Sequence, residues 1–342
     1  MFICLSLKDQ NSYIASCLFF LNKRENNALK KRDFLTLQSF TANEINEMLK
    51  LTRRFKEGSL SINERSILSG KSIVLLFQKH STRTRVSFEV AINQLGGHPI
   101  YLGWKESQLG RGETIADTAR VLSRYVDAVV ARVYKHSDLE EMARYADIPI
   151  INALSDMYHP CQIVADLYTM WEKFGALKGL KVAYVGDGNN VCNSLLIGCS
   201  KMGLDLSVAC PSGYEPSSEA LRFAERNSKE SGSEIRILRD PFEACRDADV
   251  IYTDTFVSMG DEAEREERLS VFLPKYQVNA ELLKVASDNV LFMHCLPAHR
   301  NEEVTDEVID GPHSVVWDEA ENRLHTAKAI LAVMFKETLK IS

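Results

Sequence analysis

One stretch of the sequence indicates how the first half of the chain folds: Ile73-Val74-Leu75-Leu76-Phe77-Gln78-Lys79-His80-Ser81-Thr82-Arg83-Thr84-Arg85. Its apolar first half predicts a buried strand, and the residues from Val86 to Ala91 predict a helix. The polar residues between them therefore form a strand-to-helix turn, where unpaired backbone N–H groups and the helix dipole attract anions. Hydroxyls and two guanidiniums within five residues predict a phosphate site at this turn.

The rest of the first half alternates strands with helices. Thr41 is a candidate N-cap for a helix, and the helical segments Thr114 to Tyr125 and Asp138 to Tyr145 separate further apolar runs. Those runs are Ala128 to Ala131 and Ile148 to Asn152. Such alternation predicts a parallel α/β domain.

A second strand series follows a long helical stretch, Ile163 to Phe174, which we interpret as a hinge. The fold class predicted is α/β, with two doubly wound parallel-sheet domains joined by this helix and the C-terminal helix packing back across the N-terminal domain. The second strands are Lys181 to Val185, Asp205 to Cys210, Asp249 to Tyr252 and Val290 to His294, and the last helix is Asn322 to Leu339.

The predicted domain boundaries follow from these elements. Residues 34–168 form the first domain, 169–322 the second, and 323–342 the helix that returns to the first. Residues 1–33 are interpreted as an N-terminal extension, disordered or misassigned, outside the folded protein. The length of 342 residues fits two domains of about 150 residues each.

Composition excludes several classes of protein. A net charge of −6 argues against a general nucleic-acid binder, so any phosphate bound here belongs to a small molecule. No apolar run reaches the roughly 18 residues that span a bilayer. The eight cysteines show no CxxC pair and no zinc-ligand spacing, which indicates reduced thiols of a cytosolic protein.

Candidate site residues follow the ends of predicted strands, where ligands bind in open α/β sheets. His159-Pro160-Cys161-Gln162 precedes a helix, so His159 can project into a cleft beside Gln162. A structurally satisfied histidine is the alternative. Arg132 ends another apolar strand, and a buried structural ion pair is its alternative role.

The turn Gly186 to Asn190 resembles the opening of a dinucleotide-binding turn, but Val191 replaces the third glycine and no ribose-binding acid follows. The sequence therefore supports a nicotinamide cofactor poorly. Asn190 is interpreted as a polar group facing a small ligand, with plain helix capping as the alternative.

Two further segments carry chemistry. Asp254 to Gly260 offers a carboxylate, a hydroxyl and glycine-permitted backbone N–H groups, which suit the ammonium and carboxylate of an amino acid. His294 to Arg300 places the Cys295 thiol at a strand end near basic groups, which predicts a lowered thiol pKa.

Together these motifs resemble the aspartate/ornithine carbamoyltransferase family from about Phe34 to the C-terminus. Four of them occur in the family's order: Ser-Thr-Arg-Thr-Arg at 81–85, His-Pro-Cys-Gln at 159–162, Asp-x-x-x-Ser-Met-Gly at 254–260 and His-Cys-Leu-Pro at 294–297. Gln78 stands where many members carry Glu, and Phe256 where many carry Trp.

The resemblance implies an enzyme that transfers a carbamoyl group from carbamoyl phosphate to L-ornithine in arginine biosynthesis, with catabolic use as the alternative. It implies catalytic roles for Arg132, His159 and Cys295, and ornithine binding by Asn190, Asp254, Ser258 and Met259. It implies carbamoyl-phosphate binding by Ser81, Thr82, Arg83, Thr84, Gln108, Arg132, His159, Gln162, Cys295, Leu296 and Arg323.

The resemblance also implies a homotrimer in which the residue equivalent to Gln108 crosses a subunit boundary, and it implies no metal or cofactor. No arginine lies in the segment from Asp254 to Gly260, so the acid there favours a diamino acid over a dicarboxylate acceptor. An enzyme acting on putrescine or an acylated ornithine, an oxidoreductase and a catalytically silent binding protein remain as alternatives. Cys295 is predicted to orient the amine rather than to form a thiocarbamate.

Overall fold

The computed structural model describes residues 32–258, 260 and 262–335, and its first half is built on a four-stranded parallel sheet. The strands are β1 (Ser72–Phe77), β2 (His98–Gly103), β3 (Ala128–Arg132) and β4 (Ile150–Leu154). Their spatial order is β2-β1-β3-β4. The order therefore reverses between β1 and β3, where a crevice forms at the carboxyl ends of the strands.

Helices cover this sheet and begin where the sequence places caps. Thr41 and Glu44 form a capping box at the first helix, and Thr114 caps the fourth. The helices are α1 (Ala42–Glu57), α2 (Ile62–Arg65), α3 (Thr82–Gln94), α4 (Ile115–Tyr125), α5 (His136–Tyr145) and α6 (Pro160–Phe174).

The second half has a five-stranded parallel sheet in the order β7-β6-β5-β8-β9. Its strands are β5 (Lys181–Val185), β6 (Asp205–Ala209), β7 (Ile235–Leu238), β8 (Val250–Thr253) and β9 (Leu291–His294). Its helices are α7 (Asn190–Met202), α8 (Ser218–Ser231), α9 (Pro241–Cys245), α10 (Arg265–Phe272), α11 (Ala280–Leu283) and α12 (Asp306–Ile309).

The last helix, α13 (Val316–Phe335), returns to the first half of the chain and packs against α1, α3 and α6. α6 is buried along most of its length and also packs against α7, so it connects the two sheets. One continuous apolar cluster runs from Phe34 to Phe335 through both halves. The predicted fold class is confirmed, including the returning C-terminal helix.

Two strands were not predicted. β2 begins His98-Pro99 and β7 has four residues, and both lie at sheet edges, where partial burial weakens the apolar signal. Among the residues described, the six cysteines are free and no helix is long and apolar enough to cross a membrane. The predicted N-terminal extension lies almost wholly outside the described residues.

Candidate functional site

A cleft of about 500 Å³ opens where the carboxyl ends of the strands of both sheets face each other. It brings together thirteen of the fifteen residues predicted from sequence, so segments separated by up to 242 positions form one site. The thirteen are Ser81, Thr82, Arg83, Thr84, Arg132, His159, Gln162, Asn190, Asp254, Ser258, Cys295, Leu296 and Arg323.

One wall of the cleft is the N-terminus of α3. Ser81 is the N-cap, and its Oγ accepts a hydrogen bond from the Thr84 backbone at 3.3 Å. The helix has no acidic residue in its first turn. Its positive end and the side chain of Arg83 therefore face the cleft without an intrahelical counter-charge, which suits a phosphate.

Arg85 does not share this role. Its Nε donates to Glu89 Oε1 at 2.9 Å, and its guanidinium lies 3.6 Å from the centre of the Tyr101 ring. Arg85 therefore lies outside the anion site, because residues two apart on a helix point in different directions.

Three guanidiniums meet in the cleft. Arg132 and Arg323 are buried, and Arg83 is half-buried beside them. Burial, and then the charge of Arg323, lower the pKa of Arg132 to about 10, so it remains charged at neutral pH. Among the described residues, the buried Arg132 Nε has no hydrogen-bond partner. Cations that repel one another in this way are stabilised by a bound anion.

His159 lies directly before α6 and is buried at the floor of the cleft. Desolvation, followed by the charges of Arg323, Arg132 and Arg83, holds its pKa well below the usual range. The imidazole is therefore neutral at physiological pH. Its Nδ1 is buried without a hydrogen-bond partner in the part of the chain described. An unpaired buried nitrogen beside three cations is typical of a ligand-binding group rather than a structural histidine.

Gln162 lies one turn further along α6 and connects the cleft to a buried network. Its Nε2 donates to Asp166 Oδ1 at 2.8 Å and to Glu319 Oε1 at 2.9 Å, while its Oε1 accepts from Arg323. Arg323 also donates to Thr84 Oγ1 at 3.4 Å, which ties the C-terminal helix to α3.

Sequence reasoning missed Asp166 and Glu319. An acid within the apolar stretch Ile163 to Met170 was an available signal for Asp166, because a charge on a buried helix needs a partner. Glu319 lies in Trp317-Asp318-Glu319-Ala320, a segment whose local pattern gives no such signal.

The opposite wall carries a carboxylate and a thiol. Asp254 follows β8 and accepts from Asn189 Nδ2 at 2.8 Å and from Cys295 Sγ at 3.1 Å. Desolvation, and then the charge of Asp254, raise the pKa of Cys295 well above its ordinary value. The predicted lowering of that pKa was wrong, because burial of the thiol and the neighbouring anion together outweigh the basic groups nearby in sequence. The thiol is a protonated donor.

Two more of the residues predicted to bind an amino acid line the cleft, Asn190 and Ser258. Asn190 is the first residue of α7 and donates to the Ser155 carbonyl at 2.6 Å, whereas Asn189 caps the helix. Capping is therefore not the role of Asn190. Ser258 lines the cleft, and Met259 lies outside the described residues.

Leu296 adopts a left-handed backbone conformation with φ of 57° and donates its N–H to His294 Nδ1 at 2.8 Å. A residue that carries a Cβ is strained there. The ring of His294 is held in turn by Glu303, whose Oε1 lies 3.1 Å from Nε2. The buried pair fixes the loop that presents Cys295 and Leu296 to the cleft.

The dinucleotide alternative is contradicted by the turn after β5. A Cβ added to Gly188 would lie 2.2 Å from the backbone nitrogen of Pro216, so the segment after β6 already occupies the space next to this glycine. In a dinucleotide turn the second glycine lets a pyrophosphate approach the backbone. Here the close approach is made by the protein's own chain.

Gln108 does not line the cleft. It lies in a separate surface depression with Ser107, Arg111 and Glu113. The cleft instead contains residues that sequence reasoning did not select: Lys79, His80, Leu154, Val191, Thr255, Val257, Arg265, Pro297 and His299.

The two departures from the family pattern have structural roles. Gln78 Oε1 accepts from the Tyr134 backbone at 2.7 Å, a bond that a carbonyl oxygen makes as well as a carboxylate. Phe256 is fully buried and stacks on Phe272 with ring centres 4.6 Å apart. It therefore anchors the 254–258 segment to α10 instead of contacting a ligand.

Among the described residues, potential metal ligands gather in two groups, Asp254 with His294 and Cys295, and His299 with Glu302 and Glu303. In the first, the thiol is bonded to Asp254 and the ring of His294 is bonded at both nitrogens. These hydrogen bonds explain why the three side chains lie close together. The expectation of a metal-free site stays a prediction.

Two family models cover the described chain. Residues 32–172 match the description "Aspartate/ornithine carbamoyltransferase, carbamoyl-P binding domain", and residues 178–334 match "Aspartate/ornithine carbamoyltransferase, Asp/Orn binding domain". The chain belongs to the aspartate/ornithine carbamoyltransferase family.

Relatives in this family are similar over nearly their whole length. An ornithine carbamoyltransferase of Pyrococcus horikoshii is 58% identical over 307 residues, which are 90% of this chain and 96% of that protein. One from Bacillus subtilis is 54% identical over 310 residues, 90% of this chain and 96% of that protein.

Solved structures agree. Ornithine carbamoyltransferase from Pyrococcus furiosus is 57% identical, with a TM-score of 0.84 over 89% of this chain and 97% of that one. The anabolic enzyme from Campylobacter jejuni is 40% identical with a TM-score of 0.84, over 90% of this chain and 99% of that one. The family resemblance predicted from four motifs is confirmed.

Proposed function

We propose that this chain catalyses the transfer of the carbamoyl group of carbamoyl phosphate to the δ-amino group of L-ornithine, giving L-citrulline and phosphate. One observation carries the proposal. A single cleft has an anion site built on the α3 N-terminus and three arginines on one wall, and the Asp254–Cys295 pair on the other. The names of relatives more than 50% identical support the same reaction.

Carbamoyl phosphate binds on the α3 wall. The Ser81 to Thr84 turn and Arg83 hold the phosphate, which becomes the leaving group. Arg132 and Arg323, both buried beside it, neutralise its charge and lower the mutual repulsion of the guanidiniums. No organic cofactor takes part in this step.

The carbamoyl oxygen is polarised by Arg132 and His159. As a neutral imidazole, His159 donates one ring N–H, and Arg132 supplies a permanently charged donor. Negative charge develops on this oxygen when the amine attacks, so donors already in place stabilise the transition state more than the ground state.

Ornithine binds on the opposite wall. Its α-ammonium and α-carboxylate are recognised by Asp254, Asn190, Ser258 and Met259, and an acid at position 254 disfavours a second carboxylate such as that of aspartate. The δ-amine has an intrinsic pKa near that of Lys, about 10.4, so the cleft must favour its neutral form. The Cys295 thiol and the backbone carbonyl of Leu296 position that amine.

The amine attacks directly. A bond forms between the δ-nitrogen and the carbamoyl carbon, the bond from that carbon to the phosphate oxygen breaks, and the amine proton passes to the departing phosphate. A protonated Cys295 is a poor nucleophile, so no thiocarbamate forms. Holding both substrates in one cleft supplies several kcal/mol of the barrier reduction, on the order of what effective-molarity measurements give.

The experiment is an acceptor panel. Purified protein is incubated with carbamoyl phosphate and, separately, ornithine, aspartate, putrescine and N-acetylornithine, and ureido product is measured. Citrulline is expected with ornithine. Carbamoylation of another acceptor without citrulline would contradict the proposal, and mass spectrometric detection of a carbamoylated Cys295 would contradict direct attack.

Further expectations remain proposals. We assign the reaction to arginine biosynthesis, since a relative from Pyrococcus furiosus, 57% identical, is named anabolic. We assign residues 34–168 to carbamoyl-phosphate binding, 169–322 to ornithine binding and 323–342 to the returning helix. We propose a homotrimer, supported by the position of Gln108 in a surface depression outside its own cleft. The cytoplasmic location stays a prediction.

A further inference from the structure

Two acids are completely buried behind the carbamoyl-phosphate wall. Asp166 lies on α6 and Glu319 on α13, with side chains 0% and 1% exposed. Neither lines the cleft, and the mechanism above uses neither. Buried acids in such a position cost free energy unless they are paired and hydrogen-bonded, so their presence needs a reason.

The two carboxyl groups lie against the same two donors, because Gln162 Nε2 and Tyr252 Oη each contact both of them. Burial raises the pKa of both acids, and two carboxylates held this close repel each other, so the pair keeps one proton at neutral pH. Tyr252 Oη lies 3.2 Å from Asp166 Oδ2 and 3.4 Å from Glu319 Oε1, and the His294 backbone donates to Glu319 Oε2 at 3.0 Å. The pair is therefore contacted from β8 and β9 of the second sheet.

Gln162 is the link from this pair to the cleft. Its Nε2 donates to both acids, at 2.8 and 2.9 Å, and its Oε1 points to Arg323. If the amide were flipped, its oxygen would face two acceptor oxygens and its NH₂ would face a guanidinium. The acids therefore allow only one orientation of the Gln162 amide, in which its oxygen faces the cleft as a hydrogen-bond acceptor.

We propose that Asp166 and Glu319 are positioning residues that share one proton and hold the Gln162 amide with its oxygen toward the cleft, where it accepts from the carbamoyl NH₂. The inference rests on the proposed function and explains why the protein would select carbamoyl phosphate over other acyl phosphates. The cleft wall is rich in donors, with three arginines, a histidine and hydroxyls. An acceptor held among them distinguishes an NH₂ group from a methyl group.

Acetyl phosphate is the matched probe, because it keeps the phosphate and carbonyl and replaces NH₂ by CH₃. Binding of both ligands is measured by calorimetry to the full chain and its variants. In Asp166→Leu the amide loses one anchor, so affinity for carbamoyl phosphate should fall roughly tenfold more than affinity for acetyl phosphate. Asp166→Asn keeps an acceptor for Gln162 and a donor for Glu319, so it should keep the ratio of the two affinities within about twofold of the original.

Equal weakening of both ligands in Asp166→Leu would overturn the proposal, as would loss of the ratio in Asp166→Asn to the same extent as in Asp166→Leu. Failure of the unsubstituted chain to bind carbamoyl phosphate would instead overturn the proposed function. The two failures are therefore distinguishable.

Infrared spectroscopy tests the shared proton even if Asp166→Leu does not fold. At neutral pH the protein should show the carbonyl band of a buried protonated carboxyl group, and Asp166→Asn should remove it because Glu319 then ionises. Asp318→Asn, at the exposed acid next in sequence, should leave the band in place. Absence of the band in the unsubstituted chain, or its persistence in Asp166→Asn, would contradict the proposal.

Discussion

The Cys295 thiol donates a hydrogen bond to Oδ1 of Asp254 at 3.1 Å, so a change in the acid alters the thiol on the wall proposed to bind ornithine. Asp254 is also one of the causes of the raised pKa of Cys295. Replacing the acid by a neutral amide should lower that pKa and weaken recognition of the amine.

In Asp254→Asn, Cys295 should therefore be alkylated by iodoacetamide faster near neutral pH than in the unsubstituted chain, because a lower pKa gives more thiolate. Citrulline formation should fall by roughly a hundredfold or more. The measurement is the rate of Cys295 modification against pH, with Cys295→Ser as the control for the other cysteines. A slower or unchanged alkylation rate would contradict the electrostatic role assigned to Asp254.

Arg83 and Arg85 offer a matched pair on one helix. Arg83 lines the cleft, whereas Arg85 bonds to Glu89 and packs over Tyr101. Arg83→Ala should weaken carbamoyl-phosphate binding by about ten- to a hundredfold, as expected for a lost charge-assisted hydrogen bond, and Arg85→Ala should leave that binding near its original value. Titration calorimetry with carbamoyl phosphate checks both, and similar losses in the two variants would remove the distinction between them.

The depressed pKa of His159 gives a pH dependence of stability. The imidazole of His159 binds a proton more weakly in the folded chain than in the unfolded chain. Its contribution to the free energy of unfolding is therefore fully present above the unfolded-state pKa of about 6.5 and is lost as the pH falls below that value. His159→Gln removes this contribution.

The free energy of unfolding of the unsubstituted chain should therefore fall more steeply with acid than that of His159→Gln, by up to about 1.4 kcal/mol per pH unit. Urea unfolding at a series of pH values checks this, with His98→Gln at an exposed histidine as the background. Parallel curves for the unsubstituted chain and His159→Gln would show that His159 does not titrate abnormally.

Gln108 tests the proposed assembly. If a neighbouring subunit supplies this residue, Gln108→Leu and Arg132→Ala chains are each inactive alone. Dissociated and reassembled together, they should recover part of the activity in sites that combine an intact cleft with an intact Gln108. Activity of Gln108→Leu equal to that of the unsubstituted chain, or no recovery in hybrids that light scattering shows to be trimers, would contradict donation across the boundary.

Much of the site was predictable because its residues follow apolar strands closely. The Ser81 turn, Arg132, Asp254 and Cys295 each lie within a few residues of a strand end, and parallel strands bring those ends to one edge. Helix starts such as the one at Thr41 were predictable for the same reason, since the side chain of a cap accepts from a backbone N–H only three residues away. Arg323 entered through the family resemblance alone.

The rest depended on distant packing. Asp166 and Glu319 are 153 positions apart, and their contact exists only because α13 returns to α6. The thiol pKa was predicted in the wrong direction because the decisive charge, Asp254, lies 41 positions from Cys295 and the burial comes from the whole fold.

The central claim is that one wall of the cleft holds the leaving phosphate and the other selects the amine. Its most direct test is the pair of Michaelis constants for carbamoyl phosphate and ornithine, measured in Arg83→Ala and in Asp254→Asn by citrulline formation. Arg83→Ala should raise chiefly the constant for carbamoyl phosphate, and Asp254→Asn chiefly the constant for ornithine. An increase of the same constant in both variants, or of the constant assigned to the opposite wall in each, would contradict this division of roles.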